Sequence, residues 1–370
     1  MARYRFELAT QADDAELRTV LASTPMPGRI SVTLRCEPSF FDAARVLGNQ
    51  QQVIACRDVE SGQIVGFGCR SIQSRYVNGR SRPIGYLNSL RLLEPHRRRG
   101  LVARGYRLFA DLHKHDRSTE LYLTTIAQGN DVATKTLTSE RAGLPRYRPA
   151  GTYHTLVVPV RGRTYSSSSD TASIRPATAN DLPEVLGFLE REGPKRQFFP
   201  AYSANDFFHA SATFRDLEPG ELMLAFDNGQ LVGTMASWNQ SRFRQFVVND
   251  YAAAIRWLRP LANSWFGLQG MPKLPRRGEA FRYAMAAIPV VANDSAPVFE
   301  ALLDATLQRL RQTETDYLLV GMHECDPLLT MAMRRKATEY LTNLYLVSWP
   351  DENGSIVPDD RPPYLELGSL

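Results

Sequence analysis

Three consecutive arginines, Arg97-Arg98-Arg99, stand immediately before Gly100 and an apolar-periodic run, and this is where the sequence is best equipped for chemistry. Leu101, Gly105, Leu108, Phe109 and Leu112 share one face of a helix, so the spacing predicts a helix from Leu101 to about His115, with Gly105 allowing close packing on a sheet. Cations at a helix N-terminus are opposed by the dipole and the free N–H groups, by about 0.3–1 kcal/mol per charge. No Ser, Thr, Asn or Asp stands at the start to cap those groups. A bound anion resolves both difficulties, because backbone N–H groups and guanidiniums can converge on a phosphate. On charge alone, a solvated basic loop is the competing reading.

The elements that must position this loop follow from periodicity. Ile84 to Leu92 alternates, with Asn88, Leu90 and Leu92 on one face and Leu87, Ser89 and Arg91 on the other, which is a strand leading into the loop. A second strand, Leu121 to Ile126, precedes Asn130-Asp131-Val132-Ala133 at the start of another helix. The whole course occurs twice. Phe6-Glu7-Leu8-Ala9-Thr10 with Asp13 and Glu16 returns as Ile174-Arg175-Pro176-Ala177-Thr178 with Asp181 and Glu184, and Gly62-Gln63-Ile64-Val65-Gly66 returns as Gly229-Gln230-Leu231-Val232-Gly233, at nearly the same offset of about 168 residues. Two matches in register predict a duplicated domain: residues 1–160, a Ser-rich linker over 161–172, and residues 173–370. The second copy carries roughly 30 extra residues, Ser241 to Gly278, in which Tyr251, Ile255 and Leu258 recur at helical spacing and predict a helix with an apolar face.

Composition excludes other classes. The 370 residues are 43% hydrophobic and 22% charged with a formal net charge of +5, ordinary for a globular protein and too weak to demand nucleic acid. Cys36, Cys56, Cys69 and Cys325 form no metal-ligand spacing and no disulfide framework, so no metal is expected. The longest apolar run, Tyr283 to Ala292, is about half of the ~18 residues that span a bilayer. Arg3, Arg5 and Glu7 stand where a signal peptide would need its apolar core, so a cytoplasmic chain without membrane contact is expected.

The stretch Leu90 to Ala103 resembles the acyl-CoA pyrophosphate loop of the GNAT acetyltransferases, whose pattern R/Q-x-x-G-x-G/A is met here by Arg97-x-x-Gly100-x-Val102, departing at Val102, where a small residue is usual. Asn130-x-x-Ala133 is similar to the family's N-x-x-A, and Gly143-Leu144 to its Gly-Phe. The resemblance implies an α/β (α+β) fold of two tandem GNAT-like domains, each a mixed, mostly antiparallel twisted sheet flanked by helices. It implies acetyl-CoA as co-substrate, held by Leu90, Leu92, Arg97, Arg98, Arg99, Gly100, Leu101, Val102, Ala103 and Asn130. In the second copy the matching loop, Val291 to Pro297, has neither glycine nor arginine. There Asp294 or Ser295 can cap the helix, Asp294 repels a pyrophosphate, and Pro289 and Pro297 remove donors, so that copy is expected to keep the fold without the cofactor site.

The implied reaction is acyl transfer to an amine. A lysine-like amine, with a pKa near 10.4, loses about 4–5 kcal/mol in reaching its free base at pH 7. The family's usual tyrosine on the Asn helix is absent, Leu137 standing there with Ser139 nearby, and Asn88 and Ser89 stand where the family often has a carboxylate. Ser89 and Tyr86 are the remaining catalytic candidates, with Tyr147 as a further aromatic. His96 reads as a solvated loop residue, and His113 and His115 as the polar side of a helix. The leading expectation is an N-acyltransferase acting on a small-molecule or peptide amine. A non-catalytic acyl-CoA sensor or scaffold is the alternative, with aminoacyl-tRNA-dependent transfer and nucleic-acid binding behind it, and a homodimer left open.

Overall fold

The computed structural model describes residues 3–116, 119–141, 143–161, 172–335, 337–349 and 356–370; the predicted linker falls almost wholly outside them. The first half contains strands β1 (Tyr4–Leu8), β2 (Ile30–Arg35), β3 (Gln50–Asp58), β4 (Ile64–Val77), β5 (Arg80–Leu92), β6 (Tyr122–Ala127) and β7 (Arg146–Pro159), with helices α1 (Asp14–Ala22), α2 (Phe40–Ala44), α3 (Leu101–Asp116) and α4 (Asp131–Leu137). The second half contains β8 (Ser173–Pro176), β9 (Leu222–Asp227), β10 (Gln230–Trp238), β11 (Gln245–Tyr251), β12 (Tyr283–Val291), β13 (Tyr317–His323) and β14 (Thr338–Ser348), with α5 (Leu182–Glu192), α6 (Ala253–Leu268), α7 (Ala296–Leu310) and α8 (Leu329–Met333).

Both halves open identically. Thr10 and Thr178 each receive the carboxylate of the third following residue on their backbone N–H, Asp13 at 2.8 Å and Asp181 at 2.7 Å, which fixes the entry into α1 and α5. Alternating strands then build one continuous twelve-stranded sheet, ordered β1-β3-β4-β5-β6-β14-β7-β13-β12-β10-β9-β8. Its pairings are antiparallel except β5 with β6 and β12 with β13. The order shows an exchange at the centre: β14, from the second half, lies between β6 and β7, while β7, from the first half, lies between β14 and β13. The mixed, mostly antiparallel sheet expected for each copy is therefore shared.

Both parallel pairs touch briefly and part. β5 meets β6 only at Gly85 and Tyr86, opposite Tyr122 and Leu123, and β12 meets β13 only from Tyr283 to Met285. Gly85 is required at the contact, because a Cβ there would lie 2.1 Å from the Tyr122 ring. Past each contact the departing strand bulges, with Ser89 at φ 52° and Ile288 at φ 43°. The result is a wedge-shaped gap at equivalent places in the two halves.

Helix α3 covers one sheet face of the first half through Leu101, Tyr106, Phe109 and His113, and α7 covers the second half through Phe299, Leu302 and Leu303. On the other face a single apolar core runs across both halves, joining Leu17, Phe40 and Phe67 to Phe214, Trp238 and Tyr283. Phe214 and Trp238 are fully buried, each worth roughly 2–3 kcal/mol of apolar transfer.

The extra segment departs from expectation. Tyr251 does not belong to the helix; it ends β11, which pairs with β2 of the first half from Phe246 opposite Leu34 to Tyr251 opposite Ile30. Only α6 is helical, and none of its residues is buried.

Because β14 supplies the inner neighbour of both β6 and β7, residues 1–160 produced alone should be aggregation-prone and lack near-ultraviolet dichroism. Co-production with residues 173–370 should restore both solubility and the aromatic signal; a soluble, cooperatively unfolding 1–160 fragment would contradict the exchanged order.

Candidate functional site

The arginine loop is a tight, left-handed turn into α3. Glu94 to His96 make one 3-10 turn, Arg98 and Gly100 adopt φ of 61° and 68°, and α3 starts at Leu101. Those left-handed residues turn the chain so that the N–H groups of Arg98, Arg99 and Gly100 donate to no protein acceptor among the described residues. The first-turn N–H groups at Leu101, Val102 and Ala103 lack intrahelical partners by geometry. Arg97 is tied down by Nε donating to Leu92 O at 3.2 Å, whereas Arg97, Arg98 and Arg99 are all exposed and form no ion pair among the described residues. Over Gly100 the space is open, with nothing within 4 Å of where a Cβ would be. Leu90 and Leu92 line a narrow groove with Gly66, Gly68, Val102 and Gly105, where α3 meets the sheet.

The wedge beside this loop begins at Tyr86 and opens past the Ser89 bulge. Tyr86 is buried, its hydroxyl pairs with Thr125 Oγ1 at 2.9 Å, and burial raises its pKa, so it holds its proton. Ser89 sits against Cys69, whose thiol burial pushes up to about 12; Cys36 is pushed to about 11 for the same reason. Neither thiol is a nucleophile at neutral pH. Among the described residues no group of His, Cys, Asp and Glu is arranged to hold a metal. Asn130 caps α4 by accepting from Ala133 N at 3.2 Å. Leu137 is in the core, and Ser139 donates to Thr136 O. Tyr147 pairs with Tyr106 at 2.7 Å, and burial raises its pKa strongly.

Three expectations are corrected. His96 is not freely solvated: its Nδ1 pairs with Tyr4 OH at 3.1 Å and its ring meets the Tyr4 ring edge-on. His113 is not on a polar surface but 6% exposed, bonded to Tyr122 OH at 2.9 Å, because α3 turns its last turn into the sheet. In the second half neither Asp294 nor Ser295 caps α7; Asp294 instead forms an ion pair with Arg196.

The second wedge is already filled. Glu366 accepts from Ile288 N at 2.9 Å, the bulge N–H of that half, and from Tyr364 OH at 2.7 Å. Tyr153 OH donates to Leu365 O, and Leu367 packs where a side chain on Gly321 would reach. Glu366 is 1% exposed, and its other oxygen, Oε1, has no partner among the described residues.

Two site residues escaped the sequence reading. Arg91 follows the bulge and stands opposite Phe67, on the face away from α3. Its Nη1 donates to Leu90 O at 3.1 Å, its Nε is buried without a partner, and no carboxylate pairs with it among the described residues. Burial pulls its pKa down. Arg244, 8% exposed, donates to Gly368 O and Leu370 O and, with Arg91, lies within electrostatic reach of Cys36. Farther along the same face is Arg75, 1% exposed and donating to Phe198 O at 3.1 Å. Only the strand alternation placed Arg91 opposite Leu90, and nothing local marked it as buried.

No protein-family model and no curated protein sequence matches the chain. Solved structures do. A GCN5-related glucosamine N-acetyltransferase region of a fungal multi-domain GH3 β-N-acetylglucosaminidase aligns over 94% of this chain with TM-score 0.61 and 12% identity; the alignment spans only 38% of that longer protein. Saccharomyces cerevisiae N-myristoyltransferase with bound myristoyl-CoA aligns over 98% of this chain and 84% of its own, with TM-score 0.60 and 12% identity. The fold is GNAT-like. At that identity the likeness speaks to the fold alone, and the chemistry rests on this chain's own residues.

Burial pushes the Glu366 carboxyl from 4.5 up to about 7. The folded protein thus holds this proton more tightly than the unfolded chain, so its contribution is greatest below about pH 4.5 and is lost as pH rises through about 7, on the order of 3 kcal/mol at most. Glu366→Gln keeps an acceptor for Ile288 N–H but cannot ionise. Urea midpoints compared between about pH 5 and pH 8 should fall more for the native protein than for the variant. Parallel slopes would show that Glu366 does not titrate in this window.

Proposed function

We propose that the chain is an acyl-CoA-dependent N-acyltransferase, with acetyl-CoA as donor and the reaction centred in the first half, residues 1–160. The observation that carries this reading is the unsatisfied donor set at Arg98, Arg99 and Gly100, flanked by three unpaired guanidiniums and leading directly to an open wedge with a bulged strand. The pyrophosphate would lie against the N–H groups from Arg98 to Ala103 with Arg97, Arg98 and Arg99 around it, the pantetheine along Leu90 and Leu92, and Asn130 at the far wall of the wedge. The bulge at Ser89 turns a backbone N–H away from the ladder, where it can polarise the thioester carbonyl. The amine nitrogen attacks that carbonyl carbon to form the C–N bond, the C–S bond breaks with its electron pair going to sulfur, and the proton shed by the nitrogen passes through water to the departing thiolate, giving amide and free thiol.

Among the described residues no His, Asp or Glu is bonded to Ser89 or Tyr86, so neither is proposed to activate the amine. The already neutral fraction of the acceptor would react, and the rate should climb with pH towards the acceptor's own pKa. Arg91 adds an acceptor class. Its Nη1 is occupied, which leaves the Nε–Nη2 edge of the fork, the edge that takes a carboxylate in two parallel hydrogen bonds. The acceptor is accordingly proposed to be an amine that also carries a carboxylate. Residues 173–370 would act as a second copy that completes the cleft, its own wedge closed by Glu366, with residues 161–172 as the connection.

The sensor reading is favoured by that missing base, and thiol release separates the two. With acetyl-CoA and a panel of α-amino acids and their decarboxylated amines, the enzyme reading expects free thiol from the carboxylate-bearing members. Arg91→Leu should lower kcat/KM for them by about 10- to 100-fold, the loss of a charge-assisted pair worth ~1.5–3 kcal/mol. Acetyl-CoA affinity should be unchanged. Calorimetry should find one acetyl-CoA site per chain. Gly100→Glu should abolish it, through charge beside the pyrophosphate and a left-handed φ that costs a side chain about 1–2 kcal/mol. Two equivalent sites would overturn the assignment to the first half, and acetyl-CoA binding with no thiol release above the Gly100→Glu rate would leave the sensor.

A further inference from the structure

Helix α6 ties several polar residues back to its own protein and, although Ile255 and Phe266 are half-buried, leaves a row of large apolar residues outward. Asn263 exchanges two hydrogen bonds with the Leu274 backbone, at 2.8 and 3.1 Å, Arg259 donates to Leu274 O and Pro275 O, and Arg256 pairs with Asp250 at 2.7 Å. On the opposite side Trp257, Leu261, Trp265 and Leu268 succeed one another at helical spacing and are 82%, 71%, 60% and 84% exposed, with Leu258 beside them at 58%. An apolar stripe of this width ordinarily faces a core. Left outward on a folded protein, it marks a surface that something else covers.

Charge selects the occupant. Residues 252–278 hold Arg256, Arg259, Lys273, Arg276 and Arg277 and not one Asp or Glu. The flanking acids are engaged locally, Asp250 with Arg256 and Arg277, and Glu279 by accepting from Arg276 N–H. A second copy of the chain would set one cationic rim against another. A bilayer rich in anionic lipid fits both features, since its acyl boundary takes the indoles and leucines while its headgroups take the cations. We propose that α6 lies in the plane of an anionic lipid surface and anchors the protein there. No described helix is long and apolar enough to cross a membrane, so α6 would rest on the bilayer and not span it. This anchoring is independent of the acyl-transfer reading.

The test uses the full chain and two vesicle preparations, phosphatidylcholine alone and phosphatidylcholine mixed with phosphatidylglycerol. Co-sedimentation should be at least ~10-fold stronger with the mixed vesicles and should weaken as salt is raised. Trp238 and Trp349 are buried, so a blue shift of tryptophan fluorescence on adding vesicles reports Trp257 and Trp265. The triple variant Trp257→Ser, Leu261→Ser, Trp265→Ser changes only exposed side chains and should keep the native circular dichroism while losing both signals. Arg276→Glu with Arg277→Glu should lose the preference for anionic vesicles. Equal sedimentation of native and triple-variant protein would overturn the proposal. So would a native dimer that the triple variant converts to monomer without any vesicle binding, because the occupant would then be a second copy.

Discussion

A parallel strand pair that touches over two or three residues and then separates leaves its inner edges unpaired, and unpaired backbone donors and acceptors in a sheet must be met by something. Most of the architecture answers that demand. β14 crosses from the second half to lie along β6, and β7 crosses from the first half to lie along β13, so each gap is closed on its outer side by a strand of the other half. The inner side stays open. Neither half can present its wedge without a strand belonging to its neighbour, and the apolar core shared by Phe67 and Trp238 follows from the same exchange.

Given two equivalent wedges, their different contents become intelligible. In the first half, Gly100 and the arginines point free donors at empty space, while the bulge at Ser89 is flanked by Arg91, half-buried and without a counter-ion among the described residues. In the second half, the equivalent bulge N–H is satisfied by Glu366, Pro289 follows it, and the loop acid Asp294 is neutralised by Arg196. One wedge is electrostatically incomplete without a ligand, and its counterpart is closed by the protein itself. On the function proposed above, the same backbone device would serve binding on one side and bracing on the other.

What could be read beforehand was what is local. The arginine loop and its helix occupy consecutive residues, and the strand from Ile84 to Leu92 announces itself by alternation. The bulge does not, because Ser89 rather than glycine occupies the left-handed position. Glu366 lies 78 residues from the N–H it satisfies, and the pairing of β6 with β14 joins Ala127 to Thr342, so neither leaves a trace in any short window. His113 looked polar because helical periodicity does not show that the end of α3 runs into Tyr122 and Trp349. Tyr251 fell at the helical spacing of Ile255 and Leu258 by coincidence, since β11 ends one residue before that helix begins to form. The polar side of α6 pointing inward was invisible for a related reason, its partners being backbone carbonyls at Leu274 and Pro275.

The place of β14 also orders events in time. It is the last strand among the described residues and sits beside β6, more than two hundred residues earlier, so the β6 edge it covers stays bare until β14 has been made. The loop at Gly100 emerges early, yet the wedge beside it acquires its outer wall only once β14 has been made. A prematurely terminated product therefore carries the arginine loop without a finished cleft behind it, and an exposed β6 edge instead. Synthesis of β14 is, in effect, a precondition for a finished wedge, imposed by topology alone.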